Sequence, residues 1–343
     1  MNAPSLAPDL ATERRRRMLI TALGAEIANA MRDPLTQEIM VNPDGALRLD
    51  RLGVGRIDTG TRLEAAQVER IIRLVASHAR AEVHAEHPIV SAELPPHIEG
   101  HAGERFEGVL PPVAQAPCFS IRRPATRLHT LTDYVADGLM SESQADALRA
   151  SVVRRDNILV AGGTSSGKTT LANALLAEMA PDDGNGGGGD DARVILIEDT
   201  RELQCPLPDT VALRTKPPHV SMRELVRSTM RLRPDRIVVG EVRGPEALDM
   251  LKAWNTGHPG GIATVHANSA TAALTRIEQL VQEAVVTVPR PLIAEAIDLV
   301  VFISGRGSTR RVATIASVVG LDPDTGAYGL AELSPQHTRP KEI

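Results

Sequence analysis

Apolar and polar positions change rhythm as the chain proceeds. Ile20, Leu23, Ile27 and Met31 recur at helical spacing and Pro34 follows, so a helix is expected over 14–32. Residues 38–41, the turn Asn42-Pro43-Asp44-Gly45 and residues 46–49 read as strand, turn and strand, because Pro presets φ and Gly accepts positive φ. Leu63, Val68, Ile71, Ile72 and Val75 predict a second helix over 63–80. From 88 to 123 the pattern breaks into short strands and turns, and Pro111-Pro112 and Pro117 suit edges and connections. Residues 1–124 therefore read as a small α+β domain, with 1–13 as a loose tail.

After an expected interdomain linker at 125–139, which carries a helical segment at about 130–137, the rhythm becomes that of a layered α/β domain over 140–343. A helical stretch at 141–153 leads into short apolar runs at 158–161, 194–197, 237–239, 262–265 and 299–303, which alternate with further helical stretches. That alternation predicts a mostly parallel sheet with helices on both faces. The Gly- and Asp-rich stretch 181–192 has nothing to bury and reads as a low-complexity surface loop.

Composition narrows the function classes. The chain has 343 residues, 42% of them hydrophobic, which suits about two globular domains. A net charge of −5 and an aromatic share of 2% argue against a nucleic-acid coat or a single-strand stacking platform, so no direct sequence-specific nucleic-acid binding is expected. The two cysteines, Cys118 and Cys205, form no CxxC pair and read as reduced thiols. No apolar run reaches the roughly 18 residues that span a bilayer, so no transmembrane segment is expected. Arg14–Arg17 followed by a short apolar stretch imitates a signal peptide, but Glu26 and the helical spacing favour an amphipathic helix of the folded protein. A cytoplasmic location is expected.

The strongest chemical signal lies at 162–169. Gly162-Gly163-Thr164-Ser165-Ser166-Gly167-Lys168-Thr169 fits G-x-x-x-x-G-K-[ST], with a strand before it and a helix after it. Glycines let successive amides curl into an anion nest, and the helix adds the positive end of its dipole. Lys168 is expected to reach the β- and γ-phosphates of ATP, and the Thr169 hydroxyl to bind Mg²⁺; Thr170 completes the cradle. Hydrolysis also needs groups that hold metal and position water. The run 194–197 ends at Glu198-Asp199, and the run 237–239 ends at Gly240-Glu241. Ligands of doubly wound sheets sit at the carboxyl ends of strands, so both Glu198 and Glu241 should face the phosphates.

Two histidines flank the run 262–265: His258 before it and His266 at its end. His266 is placed to bond a γ-phosphate or a neighbouring acid, and a zinc site is disfavoured without nearby cysteines. Among the Arg-Arg pairs at 122–123, 154–155 and 310–311, Arg122 stands out because it ends a strand in the first domain. It is a candidate arginine finger for another subunit's γ-phosphate; the other pairs read as solvated surface.

In this order, the phosphate loop, Glu198-Asp199-Thr200-Arg201-Glu202, Arg231–Arg236 with Gly240-Glu241-Val242-Arg243, and Thr256-Gly257-His258…His266-Ala267-Asn268-Ser269 resemble the four signatures of the secretion ATPases of type IV and type II secretion systems and of pilus motors. Gly103-Glu104-Arg105-Phe106 and Ser120-Ile121-Arg122-Arg123-Pro124 are similar to the TrbB-type, conjugal-transfer branch. The resemblance implies a RecA-like P-loop ATPase domain, a homo-hexameric ring and Mg²⁺-dependent ATP hydrolysis. It also implies nucleotide bound between the two domains and docking on other components of a secretion machine at the inner face of the inner membrane. By the same resemblance Glu241 holds the metal at a position where Gly240 replaces the usual aspartate, and Glu198 helps polarise water or hold the metal. His258 and His266 form the histidine box, and Arg105 and Arg122 contact nucleotide phosphates. The competing readings are a nucleotide-gated scaffold with little turnover and a RecA-like helicase. The acidic charge and scarce aromatics disfavour the helicase, and no Asn-Lys-x-Asp guanine reader supports a GTP switch.

Overall fold

A computed structural model describes residues 10–95, 103–123, 128–180 and 191–333. The chain divides into two compact units, Met1–Thr126 and Arg127–Ile343.

The first unit contains α1 (Leu10–Arg32), β1 (Thr36–Val41), β2 (Ala46–Arg51), β3 (Gly55–Arg62), α2 (Ala65–Ala79), β4 (Ile89–Glu93), β5 (Arg105–Val109) and β6 (Cys118–Arg122). The strands form one antiparallel sheet in the order β3-β2-β1-β6-β5-β4. The expected strand–turn–strand is β1 and β2, and Gly45 takes φ 74° at a point where a Cβ would meet the Leu63 carbonyl oxygen at 2.4 Å. α1 is longer than expected and kinks at Gly24, whose φ of 79° is outside the helical range. Leu19, Leu23, Ile27 and Met31 are buried in one core with Val68, Ile71, Ile72 and Val75 of α2. The segment that imitates a signal peptide is thus part of this unit's core. β3 escaped the apolar pattern because its residues, GRIDTGTR, alternate between exposed and half-buried and none is buried.

The second unit contains α3 (Leu131–Ala136), α4 (Glu142–Val153), β7 (Ile158–Gly162), α5 (Lys168–Ala177), β8 (Val194–Glu198), β9 (Thr210–Arg214), α6 (Met222–Thr229), β10 (Arg236–Val239), α7 (Glu246–Asn255), β11 (Ile262–His266), α8 (Ala270–Gln282), α9 (Arg290–Ala296), β12 (Leu299–Ser304), β13 (Arg311–Leu321) and β14 (Tyr328–Glu332). The eight-stranded sheet runs β14-β13-β12-β7-β11-β10-β8-β9. From β12 to β9 every pairing is parallel, and β13 and β14 extend the sheet antiparallel.

Alternate residues of β7 feed opposite faces of this sheet. Leu159 and Ala161 join a core with α7 and α8, while Ile158 and Val160 join one with α3, α4 and α5. β7, β8 and β10 are buried along their whole length, as expected for strands covered on both sides. α3 and α4 begin with reciprocal capping boxes, Thr130 with Asp133 and Ser141 with Gln144, which satisfy amides the first turn leaves open. The stretch read as a linker differs from expectation. Leu131 and Tyr134 within it, and Met140 just beyond it, are buried in the second unit's core. Residues 124–127, and 181–190 of the Gly-rich stretch, lie outside the described residues.

Candidate functional site

The loop between β7 and α5 forms the cradle. Gly162 lies where a Cβ would meet Ser166 Oγ at 2.5 Å and the Ile303 carbonyl oxygen at 2.8 Å, so the loop can curl this tightly only on glycine. Ser165 takes φ 59° and Gly167 φ 93°, two left-handed residues that turn the backbone into the helix. Gly167 is the N-cap of α5 and supplies no side-chain acceptor, so the positive end of the helix carries no side-chain cap. Ser166 Oγ is buried with no hydrogen-bond partner. Thr164 and Ser165 are exposed on the loop, and Thr169 and Thr170 are half-buried in the first turn of α5.

Lys168 is buried and donates to the Gly163 carbonyl at 3.1 Å, which folds its side chain back over the loop. Its Nζ lies 3.3 Å from His266 Nδ1 and 3.4 Å from Nε2. His266 Nε2 lies 2.8 Å from Glu241 Oε1, and Arg243 Nη2 donates to Glu241 Oε2 at 2.5 Å. Burial and the Lys168 charge hold the His266 pKa below its ordinary value, so the ring is neutral near pH 7. The ammonium lies almost equidistant from the two ring nitrogens, and Nε2 is the one beside Glu241. The Nε2 contact is too poorly aligned to be a hydrogen bond, and Glu241 Oε1 remains buried without a donor. An acceptor oxygen and the Ser166 hydroxyl, both buried and unmet, fit a site built for a cation and a phosphate.

The two acids differ in state. Burial would raise the Glu241 pKa, but the Arg243 hydrogen bond and charge, helped by His266 and Lys168, hold it below the ordinary carboxylate value. Glu198 goes the other way. Burial pushes its pKa up to about 7, against two backbone hydrogen bonds to Oε1 from Glu202 at 2.9 Å and Leu203 at 2.8 Å. Its Cγ would lie 3.0 Å from a Cβ at Gly240, so the glycine in place of the usual aspartate leaves room for the Glu198 side chain. Glu241 follows β10 and Glu198 ends β8, adjacent parallel strands that lie one and two strands away from β11 and its His266.

His258 is placed elsewhere. It precedes β11 while His266 ends it, and five residues of strand at about 3.3 Å each separate the two ends by roughly 13 Å. The His258 Nδ1 lies 3.1 Å from the Ala253 carbonyl oxygen at the end of α7. Around it, Gly260 takes φ 83°, and a Cβ on Gly261 would meet Trp254 Nε1 at 2.0 Å. This end of the histidine box is a turn packed under an indole, and the structure does not bring His258 to the cradle of its own chain. The physical reason is the strand itself, which points the two histidines to opposite edges of the sheet.

Arg105 and Arg122 lie in the first unit and are brought together there. They are direct register partners on β5 and β6, flanked in register by Glu93 on β4 and Glu38 on β1.

Two supporting roles, those of Asn173 and Arg243, were not assigned from the sequence. Asn173 of α5 is buried; its Nδ2 donates to the Glu202 carbonyl and its Oδ1 accepts from the Gln204 amide, both at 2.9 Å, which ties the loop after Glu198 to the phosphate-loop helix. Arg243 holds Glu241 and stands 3.6 Å from Asp199, whose other oxygen accepts from Thr215 Oγ1. Only the position of Arg243, two residues beyond Glu241, could have signalled its role.

Residues 66–304 match the family described as Type II/IV secretion system protein. Conjugal transfer protein TrbB of Rhizobium radiobacter is 48% identical over 307 residues, covering 89% of this chain and 90% of that protein. Type IV secretion system protein PtlH of Bordetella pertussis is 35% identical over 317 residues, covering 81% of this chain and 89% of that one. The ATPase DotB of Legionella pneumophila shares the fold, with a TM-score of 0.57 at 16% identity over 88% of this chain and 78% of that chain.

Proposed function

The chain belongs to the Type II/IV secretion system protein family, in the TrbB-type branch of conjugal-transfer ATPases, and from that premise we propose that it hydrolyses ATP with Mg²⁺ as one subunit of a homo-hexameric ring. The ring would power pilus assembly or substrate transfer in a conjugative secretion machine, docked on other machine components at the inner face of the inner membrane. No helix among the described residues is long and apolar enough to cross a membrane, so docking on the machine is the mode of attachment proposed.

The observation that carries the reading is a loop curled on glycine with Lys168 folded over it and Glu241 joined to it through His266, where Arg243 lowers Glu241 while burial raises Glu198. Environments that separate two acids in this way divide their roles. Glu241, held ionised, and the Thr169 hydroxyl would hold Mg²⁺, which when bound offsets charge on the β- and γ-phosphate oxygens. Glu198, with a pKa of about 7, is tuned to accept a proton from the attacking water near neutral pH. Lys168 and the amides of Gly163–Thr170 hold the phosphates. His266, set between Glu241 and Lys168, keeps Lys168 in place over the loop. Arg105 and Arg122, presented as one pair, would meet phosphate charge that develops during transfer.

Phosphate release from Mg²⁺-ATP by the full chain tests this. Wild type should turn over, and Lys168→Ala should lose nucleotide binding or turnover. Equal phosphate release by the two proteins would refute the loop as the site.

A further inference from the structure

We infer that Arg310 is a phosphate-binding residue of this nucleotide site, reaching the α- and β-phosphate oxygens from the side of the loop away from the two acids. The inference rests on the ATPase reading and adds a residue to it. Arg310 lies in the connection between β12 and β13. β12 is the parallel neighbour of β7, with Ile303 in register with Gly162, so this connection leaves the sheet directly beside the phosphate loop. A Cβ on Gly167 would lie 3.0 Å from Arg310 Cζ and Nη1 and 3.2 Å from Nε. The guanidinium therefore rests against the α-carbon of the residue that opens α5.

That is an unfavourable place for an unpaired cation. The helix start carries partial positive charge, and Lys168 is the next residue. No carboxylate among the described residues pairs with Arg310, and its Nε is buried without a hydrogen-bond partner. Tyr134, close enough for the Arg310 charge to act on its hydroxyl, also leaves that oxygen buried and unmet. A guanidinium held with an open donor beside a helix start and an ammonium is stabilised by an anion. Two connections fix Arg310's setting from outside the loop. The Val312 amide donates to the Leu139 carbonyl at 2.7 Å, and Gln144 Nε2 donates to the Val312 carbonyl at 3.4 Å.

The sheet order decides which phosphates are met. His266 ends β11, Glu241 follows β10 and Glu198 ends β8, and all three strands lie on one side of β7. The reacting γ-phosphate belongs to that side. Arg310 arrives from β12, on the other side, and so meets the part of the nucleotide that ADP and ATP share. It binds without taking part in hydrolysis.

Titration calorimetry of Mg²⁺-ADP into the full chain, with steady-state phosphate release in parallel, tests this. Arg310→Gln should weaken ADP about tenfold, the worth of one charge-assisted contact, and raise KM for ATP by a similar factor, with kcat nearly unchanged. Arg310→Lys should recover most of the affinity. Arg311→Gln, at an exposed neighbour, should bind ADP as wild type does. A structural role would instead lower the melting temperature without nucleotide and leave KM alone. ADP affinity in Arg310→Gln equal to wild type, or equal losses in the Arg310 and Arg311 variants, would overturn the inference while leaving the ATPase reading intact. Should Arg310→Gln fold poorly, Arg310→Lys decides by the same titration. Failure of wild type to bind Mg²⁺-ADP would remove the site as a whole.

Discussion

Glu241 and Glu198 sit on adjacent strands and face different surroundings, and their variants should separate accordingly. Glu241→Gln keeps the shape but loses the charge that Arg243 and His266 gather around. It should still bind ATP while kcat falls on the order of 100-fold, read as unchanged nucleotide affinity beside slowed phosphate release. Glu198 predicts a pH profile. With its pKa raised from 4.5 to about 7, it is protonated in the folded protein below neutrality and becomes a base only above it, so kcat should climb through pH 7. Glu198→Gln should be slow at every pH and lose that limb. The same shift bears on stability. Because the folded state binds this proton more tightly than the unfolded chain, its stabilising contribution is full below about 4.5 and is lost as pH rises through 7. Glu198→Gln should therefore gain melting temperature over wild type at pH 8 and little at pH 5; an equal difference at both would contradict the raised value. Identities at this scale were legible where chemistry allows few residue types, as in Gly-Lys-Thr after a strand. Ionisation states were not, because they come from burial and from Arg243 and Lys168, which only the fold brings near.

At the scale of elements, the apolar runs located β7, β8, β10, β11 and β12 because strands covered on both faces must be apolar throughout. β9, with no fully buried residue, and β3, where polar residues predominate, gave no such run. The histidine box shows how adjacency in sequence misleads. One short strand carries His266 to the cradle and leaves His258 among the turn glycines at the opposite edge. Those glycines are packing residues, which gives a prediction confined to this element. Gly261→Ala would drive a methyl into Trp254, whose indole donates to the Ile237 carbonyl at 3.1 Å, while the Gly261 amide is held at 2.9 Å by Asn157 Oδ1. The cost should be about 1–3 kcal/mol in the denaturation midpoint, as for overpacked cores, with nucleotide affinity unchanged. A variant as stable as wild type would show that this end of the strand yields freely.

For the whole molecule, the division into two compact units matters because the candidate arginines lie on one and the phosphate loop on the other. Arg122→Ala should lower phosphate release with assembly intact by size. Mixing it with Lys168→Ala subunits distinguishes the source of the arginine: if it serves a neighbour, intact arginines on the Lys168→Ala subunits restore part of the activity at the competent sites; if it serves its own chain, the mixture stays as slow as its parts. The division into a small α+β region and an α/β region was readable from the change in rhythm. The position of the boundary was not, since Leu131 and Tyr134 lie on a helix of only six residues, too short to show a clear apolar period, and reveal their burial only when α3 packs on the second core.

The carboxylate of Glu198 also holds the start of the segment that follows it, through the amides of Glu202 and Leu203, and Asn173 fastens the next residues to the phosphate-loop helix. A hydrogen ion landing on that oxygen weakens its grip on both amides, so each turnover would loosen and retighten a stretch of main chain anchored to the cradle. Chemistry and movement would then share one atom, and the protection of the amides at 202 and 203, taken relative to their intrinsic exchange rates at each pH, should fall as the solution is brought below neutrality.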